Sequence, residues 1–369
     1  MSAAHPSPHT RDSDPRGDGA PPPLADYTTL RLGGPPERFV TVGDTRDLVS
    51  AVAAADAAGE PLLMLGGGSN LVVADAGVPG TVIYVNSGST TVEDAGSGRV
   101  RVRASAGVEW DPFVAWSVAE GLSGLEFLSG IPGRVGSTPI QNVGAYGQEV
   151  SQTVAEVVVY DRRLGERRTM TNAECGFTYR NSVFKGSDRY AVCEVVFELT
   201  RSARSSPVRY GEVARALGTE AGGRVPLSDA RASVLELRRG KGMVLDAADP
   251  DTRSAGSFFT NPVLAPEQAE RVAARAAELL GPDVELPAHP DGNGGTKLSA
   301  AWLIDRAGFA KGYGSDAARI STKHSLALTS PADGATADLI ELAREVRAGV
   351  FDAFGVWLVN EPILVGVEL

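Results

Sequence analysis

The chain has 369 residues, of which 43% are hydrophobic and 22% are charged. These values are typical of a soluble globular protein with two or three domains. The net charge of −11 argues against a general nucleic-acid-binding surface, so any phosphate site must be formed by a local group of Arg and Lys residues. Cys175 and Cys193 are the only cysteines. They are too few for a disulfide framework and lack metal-ligand spacing, which favours a reducing compartment and predicts no metal site.

Residues 1–23 are rich in Pro, Ser, Asp, Gly and Arg and contain no apolar run. They match neither a signal peptide nor a membrane span, so we interpret them as a disordered tail. No later window has the apolar length that a transmembrane helix needs. We therefore expect a cytoplasmic protein with no membrane partner.

Hydrophobic periodicity and capping residues predict a mixture of helices and strands. The first helix begins at Asp44, carries Leu48, Val52 and Ala55 at helical spacing, and ends at Gly59. A second helix contains Phe113 and stops near residue 121. The further predicted helices are residues 228–239, 266–281, 298–307 and 336–354. The predicted strands are residues 37–42, 61–65, 81–85, 100–104, 153–160, 190–199, 356–359 and 363–367.

A glycine run follows the predicted strand 61–65 directly and reads Gly66, Gly67, Gly68, Ser69, Asn70. It provides unobstructed backbone N–H groups at the carboxyl end of a strand, which suits a pyrophosphate. It has neither the GxGxxG spacing of a Rossmann turn nor a Walker A motif. Taken alone, such a run is more often a tight turn than a ligand site.

The stretch 125–147, LEFLSGIPGRVGSTPIQNVGAYG, resembles neither a buried strand nor an amphipathic helix. Recurring Gly and Pro residues predict a backbone that turns repeatedly and is open to close approach. Its polar side chains and Tyr146 suit a heteroaromatic ring with a diphosphate tail. An ordinary Gly- and Pro-rich connection is the alternative interpretation.

Two cationic residues are candidates for an anionic ligand. Arg180 lies among aromatic residues in FTYRNSVFK, which suits bidentate binding of a carboxylate, although a cation–π or salt-bridge role is the alternative. Lys241 follows the predicted helix 228–239, where it could bind an anion or simply complement the helix dipole.

Ser257 lies in AGSFFTNP, a constrained turn that exposes a hydroxyl group beside apolar residues. No GxSxG motif surrounds it and neither His289 nor His324 is an evident partner, so a Ser-His-Asp hydrolase is poorly supported. Glu361 lies in a turn between two predicted strands, where a glutamate is usually solvated.

Taken together, the motifs LGGGSN, IPGRVGSTPIQNVGAYG, YRNSVFK, GSFFTNP and a late NEP resemble the UDP-N-acetylenolpyruvoylglucosamine reductase family, the flavoenzymes of peptidoglycan precursor synthesis. The resemblance extends from about Tyr27 to the C-terminus. The segment RYGEVARAL with Tyr210 resembles the form of the family that has a tyrosine loop over the substrate. Its polar, glycine-rich flanks predict a mobile lid.

The resemblance implies an α+β fold, with a two-part FAD-binding fold of the vanillyl-alcohol-oxidase-like type and a C-terminal α+β substrate domain. The implied domains are a tail over 1–23, FAD-binding subdomains at 24–90 and 91–245 with a C-terminal return at 355–369, and a substrate-binding domain at 246–354. The implied ligands are non-covalent FAD, NADPH and a UDP-sugar enolpyruvyl ether. A monomer without a nucleic-acid partner is expected.

The resemblance also implies roles for individual residues. Ser257 would protonate the substrate carbon, while Arg180 and Glu361 would stabilise the enolate-like charge. Tyr210, Lys241 and Asn261 would bind substrate. The residues assigned to FAD are Gly66, Gly67, Gly68, Ser69, Asn70, Leu71, Ile131, Pro132, Gly133, Gly136, Ser137, Thr138, Gln141, Asn142, Gly144, Ala145 and Tyr146. Two rival hypotheses remain, an FAD oxidase of the same fold class and a non-catalytic nucleotide-sugar or flavin-binding module.

Overall fold

The computed structural model describes residues 19–292, 294–332 and 334–369. Most of the predicted tail over 1–23 lies outside these residues. Helices and largely antiparallel sheets occur together, which confirms the α+β class.

The helices of the described residues are α1 (Thr45–Ala58), α2 (Trp110–Ala119), α3 (Gly211–Ala216), α4 (Leu227–Gly240), α5 (Pro266–Leu280), α6 (Ala300–Arg306) and α7 (Thr336–Phe354). The strands are β1 (Pro36–Val42), β2 (Leu62–Leu65), β3 (Leu71–Val73), β4 (Val78–Val85), β5 (Thr90–Gly96), β6 (Arg99–Ser105), β7 (Leu122–Ser123), β8 (Gly144–Ala145), β9 (Gln148–Glu149), β10 (Val154–Asp161), β11 (Glu166–Thr171), β12 (Tyr190–Arg201), β13 (Ser254–Ser257), β14 (Val263–Leu264), β15 (Ala288–Pro290), β16 (Thr296–Leu298), β17 (Arg319–Ile320), β18 (Ala327–Thr329) and β19 (Ile363–Val365).

The chain divides into two compact units. The first unit contains the residues up to Arg38, Ser69–Pro79 and Pro250–Leu369, and the second contains Phe39–Gly68 and Gly80–Asp249. The glycine run 66–70 therefore crosses from the second unit into the first.

The second unit is built on a six-stranded antiparallel sheet, in the order β11-β10-β12-β6-β5, with β7 also paired to β12. Its buried face carries alternating apolar residues, as strands with one covered face require. Trp110, Phe113 and Phe197 pack together with ring centroids 5.4–6.0 Å apart, which fixes the start of α2 against β12.

The first unit contains two three-stranded sheets, β13-β18-β17 and β14-β16-β15, together with the parallel pair β3-β19. Helices α5, α6 and α7 contribute to its apolar core. The predicted apolar face of α7 is confirmed, because all of its members are buried: Leu339, Leu342, Val346, Val350 and Phe354.

Capping explains why the sequence predicts the limits of α1. Asp44 accepts a hydrogen bond from the Asp47 amide at 2.7 Å, and Gly59 ends α1 with φ +66°, so both predicted ends are confirmed. The predicted strand 356–359 is wrong, because these residues form no strand. Strands β5 and β11 were not predicted, since edge strands with mostly exposed residues lack apolar alternation.

The predicted domain assignment stays a prediction, because compactness does not show which ligand each part binds. The compact units nevertheless divide the chain at other positions. The C-terminal return lies in the first unit, since Ile363–Val365 pairs in parallel with Leu71–Val73.

None of the helices described, α1 to α7, is both long enough and apolar enough to cross a membrane.

Asp161 is a buried carboxylate at the end of β10 that is bound by Arg189. The Arg189 guanidinium donates to both carboxylate oxygens at 2.6–3.0 Å, and the amides of Arg163 and Leu164 donate at 3.1 and 3.4 Å. These hydrogen bonds, chiefly those from Arg189, lower the pKa of Asp161 to about 2.

We therefore expect Asp161→Asn to lower the melting temperature by several degrees at neutral pH. A lowered folded-state pKa contributes stability above the unfolded-state pKa of about 3.9, and that stability is lost as the pH falls toward 2. The difference in melting temperature between the parent and Asp161→Asn should therefore narrow below about pH 4. Calorimetry from pH 7 to pH 3 measures it, with the exposed Asp188→Asn as the charge-matched control. A difference that stays constant over this range contradicts the prediction.

Candidate functional site

The glycine run after β2 leaves no room for side chains. A Cβ atom on Gly67 would lie 2.5 Å from the Gly133 Cα atom, and one on Gly66 would lie 2.6 Å from Ser137 Oγ. Gly68 has φ +57°. Within the described residues, the backbone N–H groups of Gly67 and Gly68 donate to no acceptor. The run therefore offers bare amides to an anion.

The segment Gly133–Ser137 is held against the connection between β6 and α2 by main-chain hydrogen bonds. Gly133 O accepts from the Trp110 amide at 3.0 Å, and the amides of Val135 and Gly136 donate to Val108 O and Ala106 O, each at 2.8 Å. Gly136 has no room for a Cβ, which would lie 2.4 Å from that of Ala106. Part of the predicted cofactor segment is thus a rigid surface rather than a loose connection.

Arg134 is a candidate site residue that we did not predict. Its side chain is largely buried, and its guanidinium donates to Gly107 O and to Tyr84 Oη, each at 2.7 Å. Its Cγ atom lies 3.5 Å from where a Gly66 Cβ would be. The aliphatic part of Arg134 therefore packs beside the glycine run, while its guanidinium is fixed by Gly107 O and Tyr84 Oη and lies 3.7 Å from Glu109 Oε1. The available signal was a lone arginine inside a Gly- and Pro-rich run.

Asn142 uses its side chain within the protein. Its Nδ2 donates to Glu149 Oε2 at 2.9 Å and to Thr178 O at 3.1 Å, and its Oδ1 accepts from the Ser151 amide at 3.1 Å. The side chain is almost fully buried. A cofactor-binding role for Asn142 stays a prediction, and these contacts leave the main chain as the part available for it.

Arg180 is held in a fixed position. Its Nη2 donates to Gly144 O at 2.7 Å, and its guanidinium carbon lies 5.3 Å from the centroid of the Tyr179 ring. Its backbone has φ +52°, which is rare for a residue with a side chain. The cation–π contact named as the alternative role is therefore present, and it also orients the guanidinium.

Four side chains of the second unit lie close together, namely Tyr146, Tyr210, Lys241 and Glu212. The Tyr210 ring packs edge-on against the Tyr146 ring at 5.6 Å, and Lys241 Nζ lies 5.7 Å from the centroid of the Tyr146 ring. Lys241 Nζ is 2.7 Å from Glu212 Oε2. Burial raises the pKa of Tyr146, although the charge of Lys241 opposes this shift.

Tyr210 is 47% exposed and immediately precedes α3. The segment that was predicted to be a mobile lid thus continues into a short helix. Its mobility stays a prediction.

In the first unit, backbone hydrogen bonds bring Ser257 and Glu361 into neighbouring stretches. The Glu361 amide donates to Phe258 O at 2.8 Å, and the Thr260 amide donates to Val359 O at 3.0 Å. Ser257 ends β13 after Gly256, which has φ +77°. Among the residues described, no hydrogen bond involves Ser257 Oγ, so its hydroxyl is available to a ligand.

The two predicted asparagines of the first unit both support the fold. Asn70 Nδ2 donates to Glu361 O at 3.3 Å, and Asn70 O accepts from the Ile363 amide at 2.9 Å. Asn261 Oδ1 accepts from the Ala300 amide at 3.0 Å at the start of α6. These contacts hold the Glu361 turn and the end of the Ser257 segment in place. Ligand binding by either asparagine stays a prediction.

The predicted site residues are distributed over both units. The second unit holds the glycines at 66–68, the segment 131–146, Arg180, Tyr210 and Lys241. The first unit holds residues 69–71, Ser257, Asn261 and Glu361.

An α+β unit with bare glycine amides beside a buried arginine is suited to a dinucleotide, and residues 36–170 match the family model of an FAD binding domain. The chain is therefore an FAD-binding protein. Residues 249–365 match the model of the UDP-N-acetylenolpyruvoylglucosamine reductase C-terminal domain.

Curated relatives agree over nearly the whole chain. The UDP-N-acetylenolpyruvoylglucosamine reductase of Thermobifida fusca is 63% identical over 94% of this chain and 98% of the relative, and that of Streptomyces avermitilis is 56% identical over 94% of each. The crystal structure of the reductase from Thermus caldophilus covers 93% of this chain and 97% of its own, with 26% identity and a TM-score of 0.63. The chain belongs to the UDP-N-acetylenolpyruvoylglucosamine reductase family.

We expect Gly67→Ala to weaken FAD binding by about tenfold, equivalent to roughly 1.4 kcal/mol, because the added Cβ would displace the Gly133 backbone. Gly88→Ala is the matched control, since a Cβ there meets nothing within 4 Å and its backbone is not left-handed. The ratio of flavin to polypeptide after purification and a fluorescence titration with FAD measure the effect. Parental FAD affinity in Gly67→Ala would contradict the assignment of the glycine run 66–70 to FAD binding.

Proposed function

We propose that the chain reduces UDP-N-acetyl-enolpyruvoylglucosamine to UDP-N-acetylmuramate in peptidoglycan precursor synthesis, with NADPH as the electron donor. Family membership supports the reaction. The observation that carries the residue assignment is the 2.8 Å hydrogen bond between the Glu361 amide and Phe258 O, because it joins the Ser257 and Glu361 stretches.

The residues of the second unit fit FAD. Bare amides at Gly67 and Gly68 suit its pyrophosphate, and the rigid segment 133–137 offers a surface for a flat ring. When bound, FAD takes two electrons from NADPH and passes a hydride to the terminal carbon of the enolpyruvyl group. Binding is non-covalent in this proposal, because neither residues 66–71 nor residues 131–146 include a His or Cys that could form a bond to a flavin.

Ser257 supplies the proton in this proposal. Once the terminal carbon of the substrate has received a hydride, the adjacent carbon carries enolate-like charge conjugated with the carboxylate. Such a carbon is a very strong base, so a hydroxyl group of ordinary acidity can protonate it without activation by histidine. The absence of any protein partner for Ser257 Oγ within the described residues supports this role.

Arg180 and Glu361 stabilise the developing charge. The Arg180 guanidinium is already oriented by Gly144 O and the Tyr179 ring. Little side-chain conformational entropy is therefore lost when it binds the substrate carboxylate. Glu361 in its protonated form donates a hydrogen bond to the same carboxylate. Both groups act by fixed position, which is how preorganised sites lower a barrier.

Lys241, Tyr210 and Asn261 bind the UDP-sugar in this proposal. The Lys241 ammonium group suits the diphosphate, and the exposed ring of Tyr210 covers it. We further propose a monomeric enzyme in the cytoplasm, where UDP-sugars and NADPH are available.

Ser257→Ala should separate the two half-reactions. NADPH should bleach the flavin at close to the parental rate, because Ser257 has no task in that step. Reoxidation by the enolpyruvyl substrate should then slow by about 10²-fold or more, since a positioned acid is lost. Anaerobic stopped-flow absorbance measures both rates.

Thr260→Ala is the control, because its hydroxyl lies on the same segment but donates to Val359 O at 3.3 Å. It should reoxidise at nearly the parental rate. Parental reoxidation in Ser257→Ala would exclude Ser257 as the proton donor.

A further inference from the structure

The ion pair between Lys241 and Glu212 has no role in the reaction described above. Lys241 follows α4 directly, and Glu212 lies in the first turn of α3, two residues after Tyr210. Their charged atoms are 2.7 Å apart, and each side chain is about one-third exposed, at 33% and 32%. Solvent, and therefore a ligand, can reach this pair.

The position of α3 does not depend on the ion pair. Val213 and Ala214 are buried against Phe127, Ala230 and Val234 in an apolar cluster. Burial of these side chains holds the helix, whereas a partly exposed ion pair contributes little stability. The Glu212 carboxylate can thus leave Lys241 by side-chain rotation while α3 remains in place.

An aromatic ring and one carboxylate hold the Lys241 ammonium group in place. Its ammonium group lies against the Tyr146 ring, and that ring is fixed by a backbone with φ +51° and by edge-on contact with Tyr210. In the described part of the chain, Glu212 is the only carboxylate within 4 Å of Lys241. One carboxylate therefore neutralises the charge that a phosphate group would use.

We propose that Glu212 is an exchangeable counter-ion of Lys241. Its carboxylate pairs with Lys241 in the ligand-free protein and moves away when an anionic diphosphate binds. This inference rests on the proposed function, which assigns the diphosphate to Lys241. Glu212 is a positioning residue that keeps Lys241 in place between turnovers and weakens the binding of diphosphate ligands.

The test compares the FAD-loaded parent with Glu212→Gln, using UDP as the probe and flavin absorbance or calorimetry to obtain Kd. Glu212→Gln should bind UDP about two- to fivefold more tightly, because an ion pair of this exposure has that strength. The gain should shrink in 0.5 M salt, which screens exposed charges. The KM for the UDP-sugar should fall in the same proportion.

Two further variants make the test specific. Glu220→Gln removes the same charge from an exposed glutamate that follows α3, and it should leave the Kd for UDP unchanged. In a Lys241→Gln background, Glu212→Gln should have no effect, since a double-mutant cycle isolates the coupling between the two side chains.

The outcomes separate this inference from the proposed function. The counter-ion role is overturned if Glu212→Gln binds UDP no more tightly than the parent, or if its gain in UDP affinity persists in the Lys241→Gln background. Either result counts even if the parent turns over the UDP-sugar. A parent that shows no UDP-sugar-dependent turnover overturns the proposed function, while the UDP cycle still decides the role of Glu212.

Discussion

The first unit depends on a small set of hydrogen bonds, each with at least one main-chain partner, that join stretches far apart in sequence. Asn70 Nδ2 and Glu361 O, separated by 291 positions, lie 3.3 Å apart, and the Glu361 amide reaches Phe258 O. Breaking such a bond costs free energy, because an amide or carbonyl group that is buried without a partner has lost its hydration. The turn that carries Glu361 and the segment that carries Ser257 therefore keep one fixed arrangement.

The second unit keeps its candidate ligand surface rigid by backbone conformation. Within the described residues, three of the five non-glycine residues with positive φ are predicted site residues, namely Asn142, Tyr146 and Arg180. Left-handed backbone at residues with side chains is costly and is found where surrounding contacts enforce it, often at functional sites. Here the enforcing contacts are the buried Asn142 side chain, the Arg180 bond to Gly144 O and the Tyr210 ring against Tyr146.

Local sequence signals explain which parts of the fold were predictable. Helices α1, α5 and α7 have capping residues and apolar faces that act within a few residues, so their limits could be predicted closely. Strand β5 is exposed throughout, and its only strong constraint is pairing with β6, which no local pattern reveals. The segment 356–359 is apolar but pairs irregularly, because it follows the Ser257 segment rather than a regular strand.

The candidate site was predictable where chemistry depends on residue type and motif order. The GSFFTNP and NEP motifs indicated Ser257 and Glu361, yet only the fold shows that Asn70 holds the Glu361 turn. The Asn142 hydrogen bond to Thr178 O and the Arg134 hydrogen bond to Tyr84 likewise join residues distant in sequence. Such contacts depend on tertiary packing, so no sequence pattern within one motif could reveal them.

The central claim is that the enolpyruvyl group of the UDP-sugar, not oxygen, receives the electrons. An anaerobic titration of the purified flavoprotein tests it most directly. One equivalent of NADPH should bleach the flavin, and one equivalent of the UDP-sugar enolpyruvyl ether should then restore the oxidised spectrum and yield UDP-N-acetylmuramate. A reduced flavin that is unaffected by this substrate but is reoxidised by oxygen at the turnover rate would contradict the account and identify an oxidase.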